Sequence, residues 1–338
     1  MDFRHLGRSG LVVSNVAYGN WLTQSASRSE ETELACVRAA LDAGITTFDT
    51  ADVYADTTAE ESLGRALKGV RREGVEIMTK VFAPTGPGRN DLGLSRKHIL
   101  ESIDNSLRRL GTDRVDVYQA HRYDPSVPLE ETMEALADVV RAGKAHYIGV
   151  SEWTAGQIRQ GHALARELRI PFVSNQSQYS ALWRVPEAEV IPACIELGMG
   201  QIVWSPLAQG VLTGKYVPGQ QWPVQSRAHD TNDGSGTLVG WLKDDVLTRV
   251  QQLRSLAADL GLTIAQLSLA WVLRNPAVST AVLGASRPEQ ITENAKAADV
   301  QLDDETIARI GTALAPVATT DPVETENSSP ASPDWRLA

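Results

Sequence analysis

Asp49, Tyr54, Lys80 and His121 have the types and spacing to move a proton onto a carbonyl oxygen. Asp49 closes "AGITTFDT", a run that otherwise reads as buried strand, and Tyr54 follows five positions later. A carboxylate at the mouth of a core strand costs several kcal/mol unless a cation or a donor meets it. Lys80 ends "EIMTK" and His121 ends "VDVYQAH", so both stand where a strand gives way to a loop. A phenol with a reference pKa of about 10 donates poorly at neutral pH. An ammonium beside it favours the phenolate and is expected to lower that value, with Asp49 holding the ammonium charged and in place. An imidazole can hydrogen-bond the carbonyl oxygen and orient it. Singly, each residue has a plainer use: Asp49 as a helix cap, Lys80 at the surface, His121 in a loop, Tyr54 packed on a rim. Together at neighbouring strand ends they suit proton donation to a developing alkoxide. None is redox-active, so the electrons must come from elsewhere, and a nicotinamide cofactor would supply them.

For the four to meet, their strands must be neighbours. Apolar runs over 15–19, 44–50, 75–80, 114–121, 145–151, 171–176, 200–205 and 279–285 alternate with amphipathic segments. The helical segments run over 29–43, 59–68, 95–110, 128–142, 155–168, 187–198, 244–273 and 288–298. Ser29, Ser95 and Pro288 mark helix starts, and Gly44, Gly111, Gly143 and Gly198 mark stops. Eight strands alternating with eight helices predict an α/β fold, the closed (β/α)8 TIM barrel, which takes about 250 residues and holds its active site at the carboxyl ends of the strands. Period-two alternation then sets Val115, Val117, Gln119 and His121 on one side of their strand. An open doubly wound sheet competes, but no Gly-x-Gly-x-x-Gly follows the first strand. The surplus reads as an N-terminal β-hairpin (1–14), a long loop after strand seven (206–243) and an extra C-terminal helix (302–314). Residues 1–315 are therefore read as a single barrel domain. From Pro316 the chain is rich in Pro, Ser and Thr, which predicts a disordered tail over 316–338.

The net charge of -10 argues against nucleic acid or an anionic membrane as a partner. The first ten residues lack an apolar core, and no run reaches the roughly 18 apolar residues of a membrane span. Two cysteines, Cys36 and Cys194, offer neither a disulfide framework nor zinc spacing, and they read as inert thiols in a reducing compartment. The expectation is a cytoplasmic protein acting on a small molecule, with no metal; a homo-oligomer is left open.

The motifs "FDTADVY", "MTK", "YQAH", "GVSEW", "NQSQYS", "WSPLAQGVLTGKY" and "LGASRPEQITEN" together resemble the aldo-keto reductase superfamily over about residues 1–312. The resemblance is greater to the branch holding bacterial reductases and the β subunits of voltage-gated potassium channels. It implies a catalytic tetrad at Asp49, Tyr54, Lys80 and His121. Channel subunits commonly differ at the histidine, so "YQAH" favours a working reductase. It also implies a cofactor lying extended across the barrel mouth. Ser151 and Gln176 match the residues that hold the nicotinamide amide, and Trp204 the aromatic on which its ring stacks. Gly19, Asn20 and Trp21 match the loop after strand one. Ser205, Leu207, Gln209 and Gly210 match a pyrophosphate belt, with Lys215 reaching the phosphates and Arg227 near the adenosine end. An aromatic often precedes that arginine by two positions; here Gln225 stands there.

"GASRPEQITEN" opens the last barrel helix, with Gly284, Ser286 and Arg287 ahead of Gln290, Glu293 and Asn294 at helical spacing. Backbone donors at a helix start, together with a guanidinium, suit a phosphate. In so acidic a chain, Lys215, Arg227 and Arg287 form a local basic exception, and a 2′-phosphate follows, hence NADP(H). Trp21, Val53, Phe82, Tyr123 and Trp183 read as the wall of a substrate pocket suited to an apolar or aromatic carbonyl or a sugar face. The expected activity is NADPH-dependent reduction of an aldehyde or ketone, with Tyr54 as general acid. The alternative is an NADP(H)-binding regulatory or redox-sensing subunit with slow turnover.

Overall fold

The computed structural model describes residues 1–21, 30–224, 226–229, 238, 240–332 and 334–335. Eight parallel strands close into a barrel: β3 (Val16–Gly19), β4 (Thr47–Asp49), β5 (Glu76–Val81), β6 (Val115–Ala120), β7 (Ala145–Ser151), β8 (Phe172–Gln178), β9 (Gly200–Trp204) and β10 (Val278–Leu283). They pair in sequence order, and β10 returns to pair with β3. The expected hairpin is present as β1 (Phe3–His5) against β2 (Val12–Ser14), antiparallel. Its Leu6 and Val13 are fully buried and pack with Met78, Val117, Val173 and Ile202, so the hairpin plugs one end of the barrel interior. Each such side chain contributes about 1.5–3 kcal/mol by leaving water.

Helices α1 (Glu30–Asp42), α2 (Thr58–Ala66), α3 (Arg96–Leu110), α4 (Leu129–Arg141), α5 (Ala155–Leu168) and α6 (Val190–Leu197) follow the strands in turn. Ser95 caps α3 by accepting from His98 N, and Gly111 ends it in the left-handed region at φ 66°. Ser29, read as the start of α1, lies outside the described residues.

One helix reading needs correction. The segment 244–273 is two helices, α7 (Asp244–Asp259) and α8 (Ile264–Leu273), bent by 88°. Gly261 turns the chain at φ 66°, and Thr263 with Gln266 forms a capping box that starts α8 afresh. The apolar residues continue through the corner because all of α8 is buried, so periodicity alone does not reveal the break. After β10 come α9 (Pro288–Ala295) and the extra helix α10 (Asp304–Leu314), capped by Asp303. Among the described residues no single helix is long and apolar enough to cross a membrane.

Composition pointed to disorder over 316–338, yet the described residues of that segment contact the barrel. Thr319 exchanges backbone hydrogen bonds with Leu182 and Arg184, and α11 (Val323–Glu326) follows. The Ser329 hydroxyl accepts from Tyr123 N, Trp335 stacks on Phe82 at 5.0 Å, and its Nε1 donates to Asp124.

Candidate active site

Lys80 is the hub of the strand ends. Along β5 the alternate residues Met78 and Lys80 share the inner side, which carries the lysine, fully buried, to the top of the barrel. Its Nζ donates to Asp49 Oδ2 at 2.6 Å, to Thr50 O at 2.7 Å and to Tyr54 Oη at 3.2 Å. The other Asp49 oxygen accepts from Gln176 Nε2 at 2.8 Å. Both partners of this buried ion pair are therefore hydrogen-bonded, the condition under which such a pair is tolerated.

Tyr54 reaches the site through an unusual turn. Ala55, Asp56 and Thr57 all have positive φ, at 58°, 48° and 76°. None is glycine, so the turn is held by its surroundings, a form of strain that collects at functional sites. Ala59 N donates back to Tyr54 O and fastens the turn to α2. His121 meets Tyr54 edge-on, with ring centroids 5.7 Å apart. Among the described residues its buried Nδ1 finds no partner.

Burial would pull the Lys80 ammonium down, but Asp49 and Tyr54 outweigh it and leave the group above its ordinary value. Tyr54 was expected to be lowered by that ammonium. Burial wins in the protein alone, Lys80 offsets it only in part, and the phenol stands above 10.0. Burial first, then Arg122 and Lys80, hold His121 well below the usual range, so its ring is neutral at neutral pH. The arrangement is a protonated phenol, a fixed ammonium and a neutral imidazole facing one point. It can donate a proton to an oxygen and stabilise the charge that develops there.

Beside the tetrad the Ser151 hydroxyl donates to Gln176 O at 2.9 Å. Trp204 Nε1 donates to Glu152 Oε1 at 2.7 Å, which fixes the plane of the indole. Glu152 itself holds φ 55° and lies buried between Trp204, Gln178 and Ser328. It went unrecognised in "GVSEW", although a carboxylate following a strand end is the same signal that exposed Asp49.

The loop after β9 runs through Ser205, Ala208, Gln209 and Gly210 with φ of 51°, 45°, 56° and 100°. Successive residues of this kind turn backbone N–H groups into a concavity that suits an anion. A side chain on Gly210 would meet Lys215 Nζ at 3.1 Å, so the ammonium closes over the loop. Surrounding protein, then Arg227 and Arg287, hold Lys215 below its ordinary value. Three cations that feel one another favour an anion among them. Arg227 stacks on Trp21 at 4.6 Å, and Ser286 is tied to Gln290 Oε1 through its backbone and hydroxyl. Arg287 is the N-cap of α9 and is exposed. Gly284, Glu293 and Asn294 stand on the same stretch, with Glu293 O accepting from Gln266.

Not every sequence-predicted residue points at the mouth. Asn20 is fully buried and donates to Glu33 and Ala59 O, which ties the start of the Trp21 loop to the helices. Gly19 is small because Val282 Cγ1 would lie 2.4 Å from any side chain there. Leu207 heads the loop, accepting from Gly210 N and Leu212 N. Gln225 lies outside the described residues. Phe82, Tyr123 and Trp183 each touch the tail, whereas Val53 is half-buried next to Tyr54.

At the strand ends of a parallel eight-stranded barrel, a buried lysine joins a carboxylate to a phenol. Residues 15–315 match the family model described as the aldo/keto reductase family, and the chain belongs to that family. It is 44% identical over 309 residues to a Schizosaccharomyces pombe protein named as a voltage-gated potassium channel subunit beta, covering 88% of each chain. Proteins of the same name from Oryza sativa subsp. japonica and Arabidopsis thaliana are 43% and 44% identical. They cover 89% of this chain and 92% of their own lengths.

Proposed function

We propose that this protein reduces an aldehyde or ketone to an alcohol with NADPH, using Tyr54 as general acid. The observation that carries the reading is Lys80 Nζ, which bridges Asp49 and Tyr54 beside a neutral His121. His121 donates a hydrogen bond to the carbonyl oxygen and orients it. Tyr54 delivers the proton to that oxygen, and Lys80 stabilises the phenolate left behind until solvent restores its proton. When bound, the nicotinamide supplies the hydride to the carbonyl carbon.

The cofactor fits the residues present. The left-handed loop at Ser205–Gly210 and Lys215 would hold the pyrophosphate. Arg227 and Trp21 would take the adenosine end, and Ser286 and Arg287 the 2′-phosphate. Trp204, Ser151 and Gln176 would hold the nicotinamide. A charge-assisted contact to the 2′-phosphate gives about ten-fold or greater preference for NADPH over NADH.

The relatives' names favour a second reading, an NADP(H)-binding subunit of a potassium channel that turns over slowly. Purified protein supplied with NADPH and aromatic aldehydes separates the two by the loss of NADPH absorbance. Reduction that falls by about two orders of magnitude in Tyr54→Phe, with NADPH affinity kept within a few-fold, supports the reductase. Negligible turnover by a parent protein that binds NADPH supports the subunit.

A further inference from the structure

Arg122 follows His121 at the end of β6, and the sequence reading gave it no role. Its guanidinium lies across the ends of two strands: Nη1 donates to His121 O at 2.6 Å and to Ser151 Oγ at 3.3 Å. The side chain is half-buried, and among the described residues no carboxylate lies within ion-pair distance of it. Two other enclosed cations at this end of the barrel are paired, Lys80 with Asp49 and Arg184 with Glu187.

The electrostatics at the reacting point agree with this geometry. Lys80 and Asp49 cancel and His121 is neutral, while Arg122 acts on both Tyr54 and His121. Arg122 thus stands beside the reacting point without a paired carboxylate, in a chain of net charge -10. An enclosed cation without a counter-ion raises the affinity for an anion that arrives with the ligand. Its planar fork matches a carboxylate with two parallel hydrogen bonds. Phe82 and Trp335, stacked at the same mouth, supply an apolar face.

We propose that Arg122 selects carbonyl substrates that carry a carboxylate, so that the preferred substrates are oxo acids or aldehyde acids with an apolar body. This deepens the reductase reading and rests on it. The test compares para-carboxybenzaldehyde with its methyl ester under NADPH, in the parent, Arg122→Gln and Arg122→Lys. The parent should favour the acid in kcat/KM by about ten-fold. Arg122→Gln should bring that ratio close to one, and Arg122→Lys should keep part of it. Added salt should shrink the preference in the parent and leave the ratio of Arg122→Gln unmoved. An acid-to-ester ratio that is the same in parent and Arg122→Gln overturns the proposal. If neither aldehyde is reduced, the reductase reading fails and Arg122 is judged by calorimetry on the same proteins. Benzoate binding tighter than benzamide binding, with the difference lost in Arg122→Gln, sustains an anion-selective site; equal binding in the parent overturns it.

Discussion

The lysine at the centre of the site is a fully buried cation, and what surrounds it explains why each neighbour is needed. Lys80→Met would leave Asp49 buried without its counter-charge, which costs about 3–5 kcal/mol. Denaturant unfolding should read that loss, and aldehyde reduction should be lost with it. Asp52 presents the opposite case. It is fully buried between α2 and α3, takes a hydrogen bond from Ser102 and faces Glu60, Arg109 and Tyr118. Burial raises its pKa from 3.8 to about 8. Between those values the folded chain keeps a proton that the unfolded chain releases, so stability falls as pH rises through the window. Asp52→Asn should flatten that slope and raise the melting temperature most at the alkaline end. An unchanged slope in thermal melts would mean that the carboxyl is ionised in the fold.

Two elements carry distinct tasks, and variants tell them apart. Under the proposed function, the loop after β9 would turn backbone donors and Lys215 toward a phosphate common to both nicotinamide dinucleotides. Lys215→Ala should therefore weaken NADPH and NADH alike. The start of α9 would present Arg287 to a group that only NADPH carries, so on the proposed function Arg287→Ala should weaken NADPH by about ten-fold and spare NADH. Quenching of protein fluorescence, with Trp204 in the mouth, measures both. The corner between α7 and α8 has a purely structural task. A side chain at Gly261 would meet nothing, but φ 66° penalises any residue with a Cβ. Gly261→Ala should cost about 1–2 kcal/mol in denaturant unfolding and leave reduction intact.

On the scale of the whole molecule, the tail contacts residues that follow four strands, β5, β6, β7 and β8. Little of its described part is buried, so ending the chain after Ala315 should change stability slightly. Removing Trp335 from Phe82 should widen the mouth and shift the ratio of kcat/KM for bulky over small aldehydes upward by about ten-fold. The same ratio in the shortened protein would show that the tail lies clear of the substrate.

The sequence by itself determined the barrel, because alternating β and α periods leave few other ways to bury so many apolar strands. Asp49, Lys80 and His121 were legible at strand ends for the same reason: polar residues closing apolar runs need partners. Four matters were decided only by tertiary structure. The α7–α8 corner stayed hidden since α8 is buried on every side, which erases the amphipathic signal. The left-handed turn at Ala55–Thr57 is imposed on residues that do not favour it, so local preference pointed elsewhere. Tyr54 ended above its ordinary pKa because burial, which depends on the closed barrel, outweighed the ammonium next to it. Trp335 meets Phe82 across more than 250 positions, a pairing that composition cannot register and that only the folded barrel mouth brings within reach.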